Sequence, residues 1–116
     1  MLSTDDGVRM RHMLDAARQA VKFAKDRTRE ELDTNSMLAL SIVRLLEIIG
    51  EAAKNVSEDL RRASPQIPWK QIAGTRDRLA HGYFDVDLDI VWAIVSSDLP
   101  VLIAAIEEII PVNGAW

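Results

Sequence analysis

Residues 75–84, TRDRLAHGYF, gather two arginines, an aspartate, one of two histidines and the sole tyrosine of the chain. Arg76 and His81 are the pair whose types suit chemistry. A histidine with an ordinary pKa near 6.5 can take the proton of a ribose 2′-hydroxyl or give one to a leaving 5′-oxygen. An arginine beside it can grip the phosphate in a two-pronged hydrogen bond and stabilise charge growing on its oxygens. Together these types suit phosphodiester transfer on RNA, with no metal or other cofactor required. Asp77 could orient either partner, Arg78 adds a second cation, and Tyr83 offers a hydroxyl and a stacking face.

Spacing alone does not secure that reading. Five helical positions correspond to a rotation of about 500° and a rise of ~7.5 Å, so Arg76 and His81 do not share a helix face. They meet only if the helix ends before His81 or a second copy of the chain supplies the facing half. An arginine and a histidine at a helix C-terminus also complement the helix dipole, which is the commoner reason for finding them there. Other chemistries have less behind them. His12 and His81 are far apart in sequence and cysteine is absent, which leaves no familiar metal-ligand spacing. No serine stands in a nucleophile elbow, and there is no glycine-rich phosphate loop.

The elements that must position these residues read as helices. Glycine (5) and proline (4) are few among 116 residues, and apolar residues recur at three- and four-residue spacing. A first helix is predicted from about Asp5 to Lys25, with Met10, Met13, Leu14, Ala17, Val21 and Ala24 as its stripe. Thr28 and Glu31 match a capping box. A third helix, from about Asn35 to Val56, is apolar around much of its circumference and should lie between two partners. Within it, Glu47 and Glu51 read as a surface paired with Arg44 or Lys54, and Gly50 as the site of a close helix crossing. Ser57 suits the cap of a short turn. Pro68 suits the first turn of a fourth helix that runs to about Ala80 and closes near Gly82. A last apolar segment, Leu88 to Ile110, should be kinked or split near Asp98 by Pro100. The expected fold is an all-α, up-down bundle of four main helices with short ones between, a single domain over residues 1–116.

Composition sets the outer bounds. The hydrophobic share is 48% and the charged share 28%, a globular balance. The formal net charge of −4 argues against a general nucleic-acid coat but not against a local basic site, and Arg9, Arg11, His12 and Arg18 form a basic end to the first helix. Uninterrupted apolar stretches such as VLIAAI (101–106) fall short of the roughly 20 residues of a bilayer span, and no signal peptide is evident. A cytoplasmic location with no membrane partner is the expectation, consistent with the absence of cysteine.

The wording of the sequence narrows this further. LEIIGEA (46–52), IPWKQIAGTRDRLAHGYFDVD (67–87) and DLP (98–100) resemble the HepT-like branch of the HEPN superfamily, and the resemblance runs from the first helix to about Ile110. The segment 76–83 fits that family's pattern of Arg, four residues, His, one residue, Tyr; the position after the arginine, commonly Asn in the family, is Asp77 here. The resemblance implies a helical homodimer in which the Arg-x4-His motifs of two copies form one cleft. It implies a metal-independent endoribonuclease toxin acting on tRNA or mRNA, with Arg76 and His81 catalytic and Asp77 and Arg78 supporting them. It also implies a nucleotidyltransferase antitoxin that transfers AMP to Tyr83, as in type VII toxin–antitoxin pairs. The alternative is a non-catalytic helical protein that binds a nucleotidyltransferase.

Overall fold

A computed structural model describes residues 3–79 and 86–110. Within them the chain is all-α: α1 (Thr4–Ala24), α2 (Glu31–Thr34), α3 (Ser36–Lys54), α4 (Glu58–Ala63), α5 (Trp69–Ala73), α6 (Thr75–Leu79), α7 (Leu88–Ala93), a π-helical turn (Ile94–Asp98) and α8 (Leu99–Ile109). The three long helical runs lie where periodicity placed them, each within a residue or two at either end.

Local chemistry explains the boundaries. Ser3 opens α1 by accepting the Asp6 N–H at 3.1 Å. Asn35 does the same for α3 through the Leu38 N–H at 3.0 Å, and Ser57 for α4 through the Leu60 N–H at 3.2 Å. Each side-chain oxygen satisfies a donor that the first helical turn leaves unpaired. Of the expected capping box only the reciprocal half forms: the Glu31 carboxylate accepts the Thr28 N–H at 3.1 Å. At the far end of α3, Arg61 donates to the carbonyls of Ala53 (2.9 Å) and Lys54 (3.0 Å), in the last turn of the helix.

The core forms because α3 is buried on a wide arc, through Leu38, Ile42, Leu45, Leu46, Ile49 and Ala53. It packs on α1 along one side and on α5 and α6 along the other, the two-partner position its composition suggests. Asp6 of α1 fastens the end of that pair. It is 6% exposed, and its carboxylate accepts the Ser57 N–H at 2.9 Å and the Ser57 hydroxyl at 2.5 Å. Burial works to raise its pKa, but hydrogen bonds from Ser57 and Ser3 and the charge of Arg9 outweigh it, and the net shift is downward.

Pro100 acts as expected, with a specific geometry. It cannot donate to the carbonyl four residues back, and the helix widens into a π turn just before it, where the Leu99 N–H reaches back to Ile94 O. The helical run Leu88–Ile109 is 22 residues long and, by length and composition, apolar enough to cross a membrane. Counting uninterrupted apolar residues missed this, because isolated polar residues break the runs. Here one stripe of that helix, Val91, Val95, Leu99, Leu102 and Ile106, is buried in the core.

The predicted fourth helix differs most. Instead of one helix from Pro68 to Ala80 there are two short ones broken at Gly74. The Thr75 hydroxyl donates to Ile72 O at 2.6 Å, taking up a carbonyl that a continuous helix would use. The predicted closure near Gly82 lies outside the described residues.

Candidate functional site

The Arg76 segment is held from beneath by a close crossing. A Cβ at Gly50 would stand 3.2 Å from Ile72 O and 3.5 Å from Thr75 Cβ, so α3 meets the α5–α6 break where it carries no side chain. Trp69, Ile72, Thr75 and Leu79 are buried, and the Trp69 indole N–H donates to Ser64 O at 2.9 Å. Two short helices are thereby anchored along one edge, with their polar residues left outward.

Arg76 is exposed and lines a shallow groove with Arg44, Glu47, Glu51 and Lys54 of α3. Among the described residues it makes no ion pair. Glu47 lies 3.9 Å from Arg44, the surface pairing expected of it. Arg44 and Lys54, ten residues apart, stand on one helical stripe with Glu47 and Glu51, and the sequence reading assigned neither a role beside Arg76. Their i, i+3, i+7, i+10 spacing is the signal that identifies them. Arg44 and Glu51 also line the neighbouring groove that holds Arg9 and His12, so these two residues of α1 adjoin the Arg76 groove.

Arg78 faces elsewhere. Its guanidinium lies 3.7 Å from the Asp98 carboxylate, ahead of α8, and it lines an apolar cavity of about 190 Å³ floored by Leu46, Ile49, Ile72 and Leu102. Asp77 is exposed. His81 and Tyr83, the expected second catalytic residue and AMP acceptor, lie outside the described residues. The structure therefore places Arg76 and Asp77 at the outer edge of α6, separates Arg78 from Arg76, and puts the last described residue of α6, Leu79, two positions before His81. Among the described residues no group of three His, Cys, Asp or Glu side chains is arranged to hold a metal ion.

What this arrangement can do is bind an anion. An arginine with no ion pair among the described residues, at a groove lined by two further cations, can hold a phosphate.

Comparison with known proteins gives the same direction. A family described as Ribonuclease HepT-like matches residues 13–109. A protein of Methanocaldococcus jannaschii named a putative RNase is 39% identical over 88 residues, spanning 76% of this chain and 81% of that one. A protein of Thermococcus cleftensis named a probable ribonuclease HepT is 37% identical over 95 residues, 78% of this chain and 86% of its own. A protein of Caldanaerobacter subterraneus named a putative RNase is 36% identical over 101 residues, 87% and 90% of the two chains. No solved structure matches the chain.

Proposed function

The chain belongs to the HepT-like ribonuclease family, and from that premise we propose that it is a metal-independent endoribonuclease toxin working as a homodimer. The observation that carries the reading is Arg76: exposed, without an ion pair among the described residues, and set in a groove with Arg44 and Lys54, five positions before His81. In the proposed reaction the Arg76 guanidinium holds the scissile phosphate. The 2′-oxygen attacks phosphorus as one His81 imidazole takes its proton, and the bond to the 5′-oxygen breaks. The 5′-oxygen leaves with a proton from the His81 of the second copy, giving a 2′,3′-cyclic phosphate and a 5′-hydroxyl. Because Arg76 and His81 do not share a face of one helix, the second copy supplies the opposite half of the cleft.

The proposed regulation uses Tyr83. A partner nucleotidyltransferase joins the tyrosyl oxygen to the α-phosphorus of ATP and releases pyrophosphate. The AMP left two residues from His81 excludes RNA by bulk and by charge. The RNA is tRNA or mRNA.

One experiment tests the core of this. Purified wild-type chain should cleave RNA in the presence of a chelator, and His81→Ala should not; equal cleavage by both would remove His81 from the reaction. Intact mass after co-expression with the partner should rise by AMP units mapping to Tyr83. A second reading, a non-catalytic partner of a nucleotidyltransferase, is favoured by the carboxylates of Asp77, Glu47 and Glu51 around Arg76. Partner binding without any RNA cleavage by the unmodified wild type would select it.

A further inference from the structure

The corner where α1 ends and α3 begins carries a surface that the ribonuclease reading does not use. Lys22 and Lys25 of α1's end and Arg27 of the following turn line a groove floored by Phe23, Met37 and Leu38, and no carboxylate lines it. Arg27 shares its charge with Glu31 at 2.9 Å. Lys22 and Lys25 have no ion pair among the described residues. In a chain of formal net charge −4, this is a local concentration of positive charge. The N-terminus of the 19-residue α3 opens into the same corner and adds the positive end of its dipole.

The apolar half is equally unusual. Met37 is 81% exposed and Leu40, one turn further on, 69% exposed. Lys22 near the end of α1 has an ordinary explanation in the helix dipole. Two large apolar side chains side by side in solvent do not, and an exposed apolar patch rimmed by charge marks a surface that another molecule covers. Its position at the start of α3 sets it about twelve residues, or ~18 Å of helix, from the Gly50 crossing that carries the Arg76 segment.

We infer that this corner docks an acidic amphipathic segment of a partner protein, with apolar side chains seated on Met37, Leu40 and Phe23 and carboxylates facing Lys22, Lys25 and Arg27. Charge complementarity selects the occupant: a neutral apolar helix would leave Lys22 and Lys25 unmatched, and a basic one would be repelled. A nucleic acid would satisfy the cations but leave Met37 and Leu40 uncovered. A helix laid into such a groove is recognised by apolar anchors at one-turn spacing.

The test uses the full chain and three probes: a synthetic helix of about 15 residues with leucines on one stripe and glutamates flanking it, the same peptide with glutamine for glutamate, and a single-stranded oligouridylate. The acidic peptide should bind saturably and shift the NMR resonances of Phe23, Met37 and Leu38. Its affinity should fall about 10-fold or more in Met37→Ser/Leu40→Ser, consistent with loss of an interface anchor. Lys22→Gln/Lys25→Gln should weaken it by a similar factor at low salt and flatten its salt dependence. RNA cleavage by these variants should be unchanged. The inference is overturned if the acidic peptide fails to bind, if the glutamine peptide binds as well, or if the oligouridylate alone shifts these resonances. None of those results touches the assignment of Arg76 and His81, whose failure would appear as absent cleavage by wild type.

Discussion

Arg76 and Arg78 stand two residues apart on the same short helix and live in different surroundings. Two steps along an α-helix rotate a side chain by about 200°, which sends the two guanidinium groups to opposite sides. Arg78 leans over an apolar cavity toward Asp98; Arg76 faces a charged groove on α3 with no carboxylate claiming it among the described residues. The contrast separates two uses of one residue type. A paired arginine joins elements, here α6 to the turn before α8, whereas an unpaired one keeps its donors for a ligand.

Replacing Arg76 should give the largest effect. In a cleavage assay with saturating enzyme, Arg76→Ala is expected to lose roughly 10²- to 10³-fold in rate, the scale for removing one preorganised donor from a charged transition state. Its unfolding free energy should stay within about 0.5 kcal/mol of wild type, as for other exposed positions. Loss of stability comparable to loss of rate would make Arg76 a structural residue and erase the contrast with Arg78.

The crossing beneath both arginines comes next. Gly50→Val places new carbon against Ile72 O and Thr75, at a point where a Cβ already meets the carbonyl oxygen at 3.2 Å. Overpacking of this kind costs about 1–3 kcal/mol, measurable by urea unfolding. Since α5 and α6 must shift to relieve it, cleavage should fall with stability. A stable Gly50→Val protein of normal activity would show that the position of α6 is not set by α3.

These two predictions also mark how far the sequence could be read. Gly50 as a crossing point, Ser57 as a cap and Pro100 as the breaker of the last helix were readable because each follows from one residue's own backbone chemistry. The break at Gly74 was not, because it depends on the Thr75 hydroxyl diverting to Ile72 O and on the approach of α3, both consequences of tertiary packing. The same limit applied to the site. Arg76 could be singled out by type and by family resemblance, but its neighbours Arg44 and Lys54 come from a helix that local spacing does not link to it. Helix periodicity already sends Arg76 and Arg78 to opposite sides, but the partner Asp98 that claims Arg78 comes from a distant helix and only the fold supplies it.

A buried carboxylate provides the scale against which the Arg78 pair is judged. Asp6 is nearly enclosed, and hydrogen bonds from Ser57 and Ser3 with the charge of Arg9 hold its pKa below 3.8 despite the opposing effect of burial. A carboxylate depressed in the folded state stabilises the protein fully above its unfolded pKa, and this contribution fades as pH falls through the folded value. Asp6→Asn should therefore cost about 1.5–3 kcal/mol at neutral pH, the scale of a hydrogen bond to a charged group. The gap from wild type should narrow once the pH drops below about 3.8, as followed by denaturant titration at a series of pH values. A gap independent of pH would mean that the Asp6 charge contributes nothing.

Asp98→Asn should have the smallest effect, and it tests the contrast between the two arginines most directly. The Arg78–Asp98 pair spans 3.7 Å, with side chains 34% and 49% exposed. At that distance and exposure water screens the attraction, and the entropy of holding two flexible side chains offsets much of what remains, so such pairs contribute about 0–1 kcal/mol. Asn keeps the shape and an acceptor, which brings the expected loss to the lower half of that range, with RNA cleavage within about twofold of wild type. Raising salt should shrink even that difference, because the Debye length falls to about 3 Å at 1 M. If Asp98→Asn instead slowed cleavage as severely as Arg76→Ala while leaving stability intact, Arg78 would have to act at the phosphate and Asp98 would be positioning it there. The two faces of α6 would then belong to one site, and the apolar cavity between α3 and α8 would be part of how RNA is held.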